Sequence, residues 1–354
     1  MRRCVDREQA FCVVDQRVSP RRRDDDLKAL GATHLTNAQG DVTVLGGAEV
    51  GDDVGLVMLT SGSSGTPKAV VHTWSSLRAS AEMTSAVLAR DAPTVWFPCL
   101  PPNHIGGLAV LLRAIFTDAR LAWDEPAALE RGPSLGATHV AVVRAQLARH
   151  DLSSYDVVLL GGARPPGERA TNVITTWGMT ETGSGVVYDA RALPGVDLCV
   201  VDGELCVKSP TLFHSYRDAP RPAITGPDGS HDWFPTGDGA SLHDGVVSVH
   251  GRLGYVITTG GEKVWPDDLE SVLAAVAGVR DVAVTSVPDD EWGERVVALI
   301  VSDDTSLDAA LRDAAANRIG PWAKPKEIRY VDAVPRTPNG KIRRNRLAQL
   351  DRPT

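Results

Sequence analysis

The sequence turns on nine consecutive residues, Thr60-Ser61-Gly62-Ser63-Ser64-Gly65-Thr66-Pro67-Lys68. They follow a strand-like apolar run, Val54 to Leu59, and precede a helical stretch that begins near Ser75. Glycine admits close approach, hydroxyls and backbone N–H groups donate hydrogen bonds, and the lysine adds charge, so the loop suits phosphate oxygens. It is not a Walker loop, because Thr66 and Pro67 separate Gly65 from Lys68. A solvated Ser/Gly turn is the alternative interpretation.

Composition and charge limit the class of protein. The chain has 354 residues, enough for two or more domains, and its formal net charge of −8 argues against a nucleic-acid partner. Five cysteines without a C-x-x-C pair favour a reducing compartment over a disulfide framework or a zinc site. No apolar run approaches the roughly 20 residues that cross a bilayer, and the N-terminus lacks the apolar core of a signal peptide. We therefore expect a cytoplasmic protein, monomeric or homodimeric, without a membrane partner.

The region from Val54 to about Leu193 alternates apolar runs with helical stretches. Strands are predicted at 95–97, 139–143 and 157–160, and helices at 77–90 and 107–115. This alternation predicts an α/β fold with a mostly parallel sheet and helical crossovers. Residues 1–52 are weakly patterned, and the run Arg21–Arg23 followed by Asp24–Asp26 favours a solvated loop.

The pattern changes after Val196. Short strands separated by Gly, Pro and Asp turns predict a small β-rich subdomain over about 196–250. Beyond Arg252 a further α/β set follows, with predicted helices at 267–277 and 307–316 and strands at 282–284 and 295–301. We place a domain boundary at Leu253–Gly254, which divides the chain into residues 1–253 and 254–354.

A second motif reads Trp177-Gly178-Met179-Thr180-Glu181-Thr182 and follows the strand-like Val173-Ile174. Thr180 can donate to a phosphate, and Glu181 supplies the hard carboxylate that Mg²⁺ prefers. Trp177 offers a flat face to a purine. A helix start beside a core tryptophan is the alternative interpretation.

Four shorter patterns in the C-terminal part carry candidate ligands. Asp238 can accept hydrogen bonds from both hydroxyls of a ribose, and Arg252 offers a fixed donor fork just before the predicted boundary. Gly260-Gly261 admits close backbone approach, although a hairpin turn explains the pair equally well. Asn339-Gly340 forms a turn that presents Lys341 at its tip, where most lysines simply face solvent.

In kind and in order, these motifs resemble those of the acyl-adenylate-forming superfamily: acyl-CoA synthetases, peptide-synthetase adenylation domains and beetle luciferases. The resemblance runs from about Val54 to Arg346. It implies a large N-terminal domain with mostly parallel sheets and a β-rich subdomain, and a small mobile α+β C-terminal lid domain. It also implies that a carboxylate reacts with ATP to give an acyl-adenylate and pyrophosphate, followed by thioester formation with release of AMP. The implied cofactors are ATP, Mg²⁺ and CoA.

The same resemblance implies roles for individual residues. Those that would hold the ATP phosphates are Thr60, Ser61, Gly62, Ser63, Ser64, Gly65, Thr66 and Lys68. Those that would line the adenine pocket are Gly161, Gly162, Ala163, Trp177, Gly178 and Met179, with Trp177 where the family usually has Tyr. Thr180 would contact the α-phosphate, Glu181 would bind Mg²⁺, and Asp238 and Arg252 would bind the ribose. Lys341 would stabilise charge between the attacking carboxylate and the α-phosphate. Gly254 would act as the hinge, and Gly260-Gly261 would face CoA.

A closer resemblance is to the o-succinylbenzoate–CoA ligases of menaquinone biosynthesis. Residues 67–73, 100–113 and 183–189 carry it, and they read PKAVVHT, LPPNHIGGLAVLLR and GSGVVYD. The resemblance implies that His104, Gly106 and Gly107 line the acyl pocket. Arg113 lies two turns along a helix that starts near Gly107, where it could pair with the carboxylate that is not activated. A capping or core role for His104 and a surface salt bridge for Arg113 are the alternatives.

Three departures from the family pattern leave the acid open. Asn103 replaces a residue that is commonly aromatic, Gly254 stands where the hinge usually has Asp or Lys, and Trp177 replaces Tyr. A secondary-metabolism ligase for a benzoate-like acid is therefore an alternative. An amide synthetase, which shares the adenylation step but uses an amine acceptor, is another.

Overall fold

The computed structural model describes residues 1–37, 39–60, 68–162, 168–337 and 340–350. Internal contacts divide the chain into two units. The first comprises residues 1–199 and 207–235, and the second comprises residues 200–206 and 236 onwards. The boundary predicted at Leu253–Gly254 falls inside the second unit and stays a prediction.

The N-terminal residues contain a helix where the charge run favoured a loop. Helices α1 and α2 cover Arg2–Asp6 and Pro20–Leu30. Ser19 accepts a hydrogen bond from the backbone of Arg22 at the start of α2, and Gly31 ends the helix at φ 64°. The loop interpretation is therefore wrong, and Arg22 pairs with Asp26 one turn further on at 2.8 Å. A hairpin of β1 (His34–Thr36) and β2 (Val42–Val44) follows.

A second hairpin flanks the loop of residues 61–67. Strand β3 (Val54–Thr60) pairs with β4 (Lys68–Thr73) in antiparallel register, with Thr60 opposite Lys68. Helix α3 (Trp74–Leu88) starts directly after β4, where the Thr73 side chain accepts a hydrogen bond from the Ser76 backbone. The hairpin therefore fixes both ends of the predicted phosphate loop.

The main sheet of the first unit has seven strands. They are β5 (Val95–Phe97), β6 (Arg120–Leu121), β7 (His139–Val143), β8 (Val157–Gly161), β9 (Val173–Met179), β10 (Ser184–Tyr188) and β11 (Arg191–Ala192). Their order is β11-β10-β9-β8-β7-β5-β6. The pairs from β6 to β9 are parallel, and β10 and β11 add antiparallel partners. This confirms the predicted mostly parallel sheet. Helices α4 (Ile105–Phe116) and α5 (Arg144–Leu147) belong to the same unit.

Burial explains why the central strands were readable from the sequence. Strands β7 and β8 are buried along nearly their whole length, as expected for parallel strands covered on both faces. Val140, Val142, Val158 and Leu160 share one apolar cluster on one face. Val95 and Phe97 of β5 belong to the same cluster. Trp96, which lies between them in the sequence, is fully buried and packs against Arg113 of α4.

Five more strands follow. They are β12 (Asp197–Val201), β13 (Glu204–Lys208), β14 (Ser215–Tyr216), β15 (Phe234–His243) and β16 (Val246–Arg252). Strand β14 extends the loop-bearing hairpin to the order β14-β4-β3, and the other four form a sheet of order β12-β13-β15-β16. This region is the β-rich one that the sequence predicted.

The rest of the second unit is an α+β layer. Its elements are β17 (Ile257–Thr259), β18 (Glu262–Val264), α6 (Pro266–Ala274), β19 (Asp281–Asp289), β20 (Gly293–Val301), α7 (Asp308–Arg318) and β21 (Glu327–Tyr330). The strand order is β18-β17-β20-β19, and β21 pairs with β20 in parallel. Leu269 of α6 and Leu311 of α7 pack on one face of this sheet, and Val334 and Leu347 pack on the other. Residues on both sides of Lys341 are thus held by a buried core.

Helices long and apolar enough to cross a membrane do not occur in the part of the chain that the structure describes.

Two adjacent glycines at the start of α4 offer a matched test of how closely this helix packs against residues 100 and 101. A Cβ on Gly107 would lie 2.3 Å from the Pro101 carbonyl oxygen, whereas a Cβ on Gly106 would meet nothing closer than 3.6 Å. We expect Gly107→Ala to destabilise the protein by about 1–3 kcal/mol, because backbone atoms must move to admit the methyl group. Gly106→Ala should be neutral or stabilise by up to about 1 kcal/mol, since alanine favours helix. Urea unfolding of both variants checks this, and equal effects would contradict the packing described.

Candidate active site

The predicted phosphate loop joins β3 to β4. Ser61, Gly62, Ser63, Ser64, Gly65 and Thr66 lie outside the described residues, but the residues that flank the loop are described. The Thr60 hydroxyl donates to the Lys68 carbonyl at 3.5 Å, and the Lys68 side chain is exposed. The Lys68 ammonium lies 4.8 Å from the centre of the Tyr216 ring.

Thr180 and Glu181 lie on a short turn between β9 and β10. Residues Thr180–Thr182 form one 3₁₀ turn, and Gly183 leaves it at φ 71°. Glu181 is 7% exposed, and its carboxylate Oε1 accepts a hydrogen bond from the Tyr216 hydroxyl at 3.2 Å. The Glu181 carbonyl accepts from the Phe213 backbone N–H at 2.9 Å. Side chain and backbone of the predicted metal ligand are therefore both held by residues 213–216.

His72 connects this turn to the loop-bearing hairpin. It is fully buried in β4, and its Nε2–H donates to the Thr180 carbonyl at 2.7 Å. Its Nδ1 lies 3.0 Å from the Ser76 hydroxyl and accepts from it. Burial lowers the pKa of His72 to about 4, so the ring is neutral at pH 7. A neutral histidine with Nε2 protonated satisfies both contacts, and it ties Thr180 to the strand that begins at Lys68.

The described residues of the predicted adenine pocket lie at the carboxyl ends of two neighbouring strands of the main sheet. Strands β8 and β9 are parallel neighbours, with Leu160 opposite Thr175, so Gly161 and Gly162 lie beside the end of β9 that carries Trp177. Ligands of open α/β sheets bind at the carboxyl ends of the strands. Gly178 allows the close approach of β10, because a Cβ there would lie 2.1 Å from the Ser184 carbonyl oxygen. Met179 ends β9, and Ala163 lies outside the described residues.

The predicted acyl-pocket residues begin helix α4. His104 is exposed and takes the N-cap position, where its carbonyl, not its ring, accepts the first helical hydrogen bonds from Gly107 and Leu108. Its Nε2 lies 3.5 Å from the Asn103 amide nitrogen. Gly106 is exposed and Gly107 is buried.

Arg113 is a buried cation. It is 2% exposed, and its guanidinium lies 4.9 Å from the centre of the Trp96 ring. Among the residues that the structure describes, Nε and Nη1 of Arg113 and Nε1 of Trp96 have no hydrogen-bond partner. Burial lowers the pKa of Arg113 from its ordinary value. The surface salt bridge considered for Arg113 is therefore wrong.

The second unit holds the predicted ribose ligands together. Asp238 and Arg252 face each other across β15 and β16, and Arg252 Nε lies 2.9 Å from the Asp238 carboxylate. Arg252 also donates to the Thr236 carbonyl at 2.7 Å. This pair can present a carboxylate and a guanidinium to one ligand.

The remaining predicted residues of the second unit lie on turns. Gly254 is exposed within the 3₁₀ turn Leu253–Tyr255; a Cβ added there would meet nothing within 4 Å, and its φ is not left-handed. Gly260 and Gly261 form the β17–β18 turn at φ 59° and 83°, the two-residue hairpin that the sequence left open.

Lys341 is exposed, and described residues on both sides of it make hydrogen bonds and ion pairs. Its backbone N–H donates to the Thr337 hydroxyl at 3.1 Å. Arg336 bonds the Gly340 carbonyl at 2.6 Å and the Asp281 carboxylate. Arg344 donates to both oxygens of Glu270 at 3.0 Å and to the Asp267 carboxylate.

The sequence did not reveal the site's supporting residues. His72, Trp96 and Tyr216 acquire their significance from contacts with distant parts of the chain; His72 and Thr180, for example, are 108 residues apart. His72 stood out only as part of a longer motif, and an isolated Ser215-Tyr216 pair carries no pattern of its own. The described residues contain no cluster of three or more His, Cys, Asp or Glu side chains suited to a metal. A single carboxylate is compatible with Mg²⁺ that takes its other ligands from phosphates and water.

Comparisons with known proteins show the family and the fold. The AMP-binding enzyme family matches residues 16–217, and the AMP-binding enzyme C-terminal domain matches residues 268–341. A probable 2-succinylbenzoate–CoA ligase of Mycobacterium tuberculosis is 35% identical over 336 residues, which cover 86% of each chain. The o-succinylbenzoate CoA synthetase of Bacillus subtilis, in complex with the acyl-adenylate intermediate OSB-AMP, has a TM-score of 0.72 and 25% identity, covering 84% of this chain and 69% of that one. The same synthetase in complex with ATP and magnesium ion has a TM-score of 0.72 and 26% identity, covering 83% and 69%.

Fold, turn motifs and matched domains define an AMP-binding enzyme with an acyl-CoA ligase architecture. This confirms the predicted superfamily and fold class. Within that class, the chain belongs to the family of 2-succinylbenzoate–CoA ligases, and it is an AMP-forming acid–thiol ligase.

The buried histidine makes stability depend on pH. The ordinary pKa of histidine is 6.5 and that of His72 is about 4, so between these values the unfolded chain binds a proton that the native chain does not. The native state keeps this contribution above about pH 6.5 and loses up to about 3 kcal/mol as the pH falls toward 4. We expect the unfolding free energy of the wild type to fall more steeply than that of His72→Gln between about pH 7 and pH 5. The exposed His34→Gln is the control and should keep the wild-type slope. A His72→Gln slope equal to that of the wild type would show that His72 is not the group responsible.

Proposed function

We propose that this chain activates 2-succinylbenzoate with ATP and transfers the acyl group to CoA. The observation that carries the choice of acid is the buried guanidinium of Arg113, whose Nε and Nη1 have no partner among the described residues. A buried cation without a counter-charge is costly, because burial removes its hydration. An acid with two carboxylates can give one to the reaction and the other to this cation.

Trp96 places a second donor beside Arg113. Its indole N–H is buried beside Arg113 and also lacks a partner among the described residues. Arginine and tryptophan are donors only, so an acceptor with several lone pairs is needed to satisfy them. A carboxylate has that character, and a charged pair with arginine is short and strong. The related ligases that carry 2-succinylbenzoate in their names make this acid the first choice.

The reaction uses ATP, Mg²⁺ and CoA. One carboxylate oxygen of the acid attacks the α-phosphorus of ATP and pyrophosphate leaves; the CoA thiol then attacks the acyl carbonyl, loses its proton and releases AMP. Mg²⁺ supplies positive charge to the phosphates. Lys68 and Thr180 would bind phosphate oxygens, and Glu181 would bind the ion. The neutral His72 would hold Thr180 in place by donating a hydrogen bond to the Thr180 carbonyl.

The second unit carries further candidate residues for the reaction. Asp238 and Arg252 would bind the ribose, since their side chains already face each other. Lys341 would stabilise the charge that gathers between the acid and the α-phosphate. We infer that the chain bends near Gly254, and that Gly260-Gly261 faces CoA during the second half-reaction.

His104, Gly106 and Gly107, in the first unit, would line the entrance for the acid.

We also infer a reducing compartment such as the cytoplasm. Cys4, Cys12 and Cys99 are free thiols, which suits such a compartment. Whether the enzyme is a monomer or a homodimer stays a prediction.

The experiment that tests the proposed function is a pyrophosphate-release screen with and without CoA. The acids are 2-succinylbenzoate, 4-oxo-4-phenylbutanoate, which lacks only the ring carboxylate, and benzoate, which lacks the whole succinyl chain. We expect 2-succinylbenzoate to be preferred and thioester to form only with CoA. Preference for a monocarboxylic acid would overturn the choice of substrate. Turnover without CoA in the presence of an amine would instead favour an amide synthetase.

Removal of the Arg113 charge tests the recognition of the second carboxylate. Truncation of one partner of a buried charged pair costs about 2–5 kcal/mol. Arg113→Ala should therefore raise KM for 2-succinylbenzoate far more than KM for 4-oxo-4-phenylbutanoate. Arg113→Lys should retain part of the preference, because it keeps the charge but loses the bidentate geometry. Equal effects on both acids would sink this assignment.

Removal of the Lys341 charge tests the division of labour between the half-reactions. Lys341→Ala should lose roughly 100-fold or more in acyl-adenylate formation, as other removed charge stabilisers do. It should still convert supplied acyl-adenylate to thioester, because the proposed role ends with adenylation. Single-turnover rates for each half-reaction measure both, with the exposed Lys28→Ala as control. Equal losses in the two steps would mean that Lys341 does not act in adenylation alone.

A further inference from the structure

Tyr216 contacts two candidate residues of opposite charge, Lys68 and Glu181. Its ring centre is 4.8 Å from the Lys68 ammonium, and its hydroxyl donates to Glu181 Oε1 at 3.2 Å. Within the described part of the chain, Lys68 and Glu181 form no ion pair with each other. One aromatic side chain thus contacts the cation with its ring and the anion with its hydroxyl.

This arrangement keeps both charges available. A lysine and a carboxylate in direct contact neutralise each other, and each then has less to offer a phosphate or a metal ion. A ring between them attracts the ammonium through its electron-rich face without using the carboxylate. The phenol hydroxyl fixes one carboxylate oxygen and its orientation, as partners of metal ligands commonly do.

Tyr216 is itself fixed by its neighbours. Strand β14 pairs with β4, and Tyr216 lies opposite Val70, two residues after Lys68. Its ring packs against Phe213 with centroids 4.9 Å apart, and the Phe213 backbone holds the Glu181 carbonyl. The hydroxyl therefore reaches Glu181 from a rigid support rather than from a loop.

We propose that Tyr216 is a positioning residue for metal binding: it orients the Glu181 carboxylate toward Mg²⁺ and prevents its capture by Lys68. The inference rests on the proposed role of Glu181 as the metal ligand. It predicts that loss of the hydroxyl alone weakens the metal site while leaving the fold and the metal-free binding of ATP intact.

The test measures metal binding without turnover. Mn²⁺ replaces Mg²⁺, and free Mn²⁺ is followed by electron paramagnetic resonance in the presence of ATP and absence of acid. The variants are Tyr216→Phe, which keeps the ring, Glu181→Gln, and Tyr330→Phe. The last is the matched control, because the Tyr330 hydroxyl also donates to a carboxylate, that of Asp308 at 3.0 Å. ATP binding in the presence of a chelator is measured for each.

We expect Tyr216→Phe to bind Mn²⁺ about tenfold or more weakly, the usual effect of losing a partner of a metal ligand. Tyr330→Phe should match the wild type, and metal-free ATP binding should be unchanged in both. Unchanged Mn²⁺ affinity in Tyr216→Phe, with a loss in Glu181→Gln, would overturn the inference but leave the proposed role of Glu181 standing. Unchanged affinity in Glu181→Gln would overturn both. An equal loss of metal-free ATP binding in Tyr216→Phe would show general damage to the site and would also overturn the inference.

Discussion

The guanidinium of Arg113, buried between helix α4 and the main sheet, limits which ligands this enzyme can hold. Arg113 is 2% exposed and packs on a fully buried Trp96. Attraction to an aromatic face offsets part of the lost hydration, but two of its nitrogens still lack acceptors among the described residues. A site that keeps such a cation is suited to a ligand that brings its own negative charge.

Elsewhere in the first unit, contacts from three residues hold the short turn that carries Thr180 and Glu181. His72 fixes the Thr180 carbonyl, Phe213 fixes the Glu181 carbonyl, and Tyr216 stands between Glu181 and Lys68. Backbone and side-chain contacts together hold one short turn against two strands. In the proposed function, this turn presents the Thr180 hydroxyl and the Glu181 carboxylate to a phosphate–metal complex, where preorganised groups stabilise charge.

Sequence patterns predicted the parts of the fold that are set locally. Val95–Phe97 and His139–Val143 were readable because apolar runs bounded by turn residues become buried parallel strands. Helix α2 was not predicted, although Ser19-Pro20 and Gly31 are helix start and stop signals. The run of opposite charges between them favours a solvated loop if only its composition is considered. The positions of Arg113 and Tyr216 could not be read in this way. The burial of Arg113 and the two contacts of Tyr216 depend on residues of other elements of the fold, and the single sequence does not show which elements pack together.

The most direct measurement is the structure of the enzyme with 2-succinylbenzoate and a non-hydrolysable ATP analogue. We expect the carboxylate that is not activated to lie about 2.7–2.9 Å from Nε or Nη1 of Arg113, as in other charged pairs of this kind. The Trp96 indole N–H should donate to the same carboxylate. A complex in which both carboxylates lie elsewhere and the Arg113 nitrogens remain without an acceptor would contradict the account.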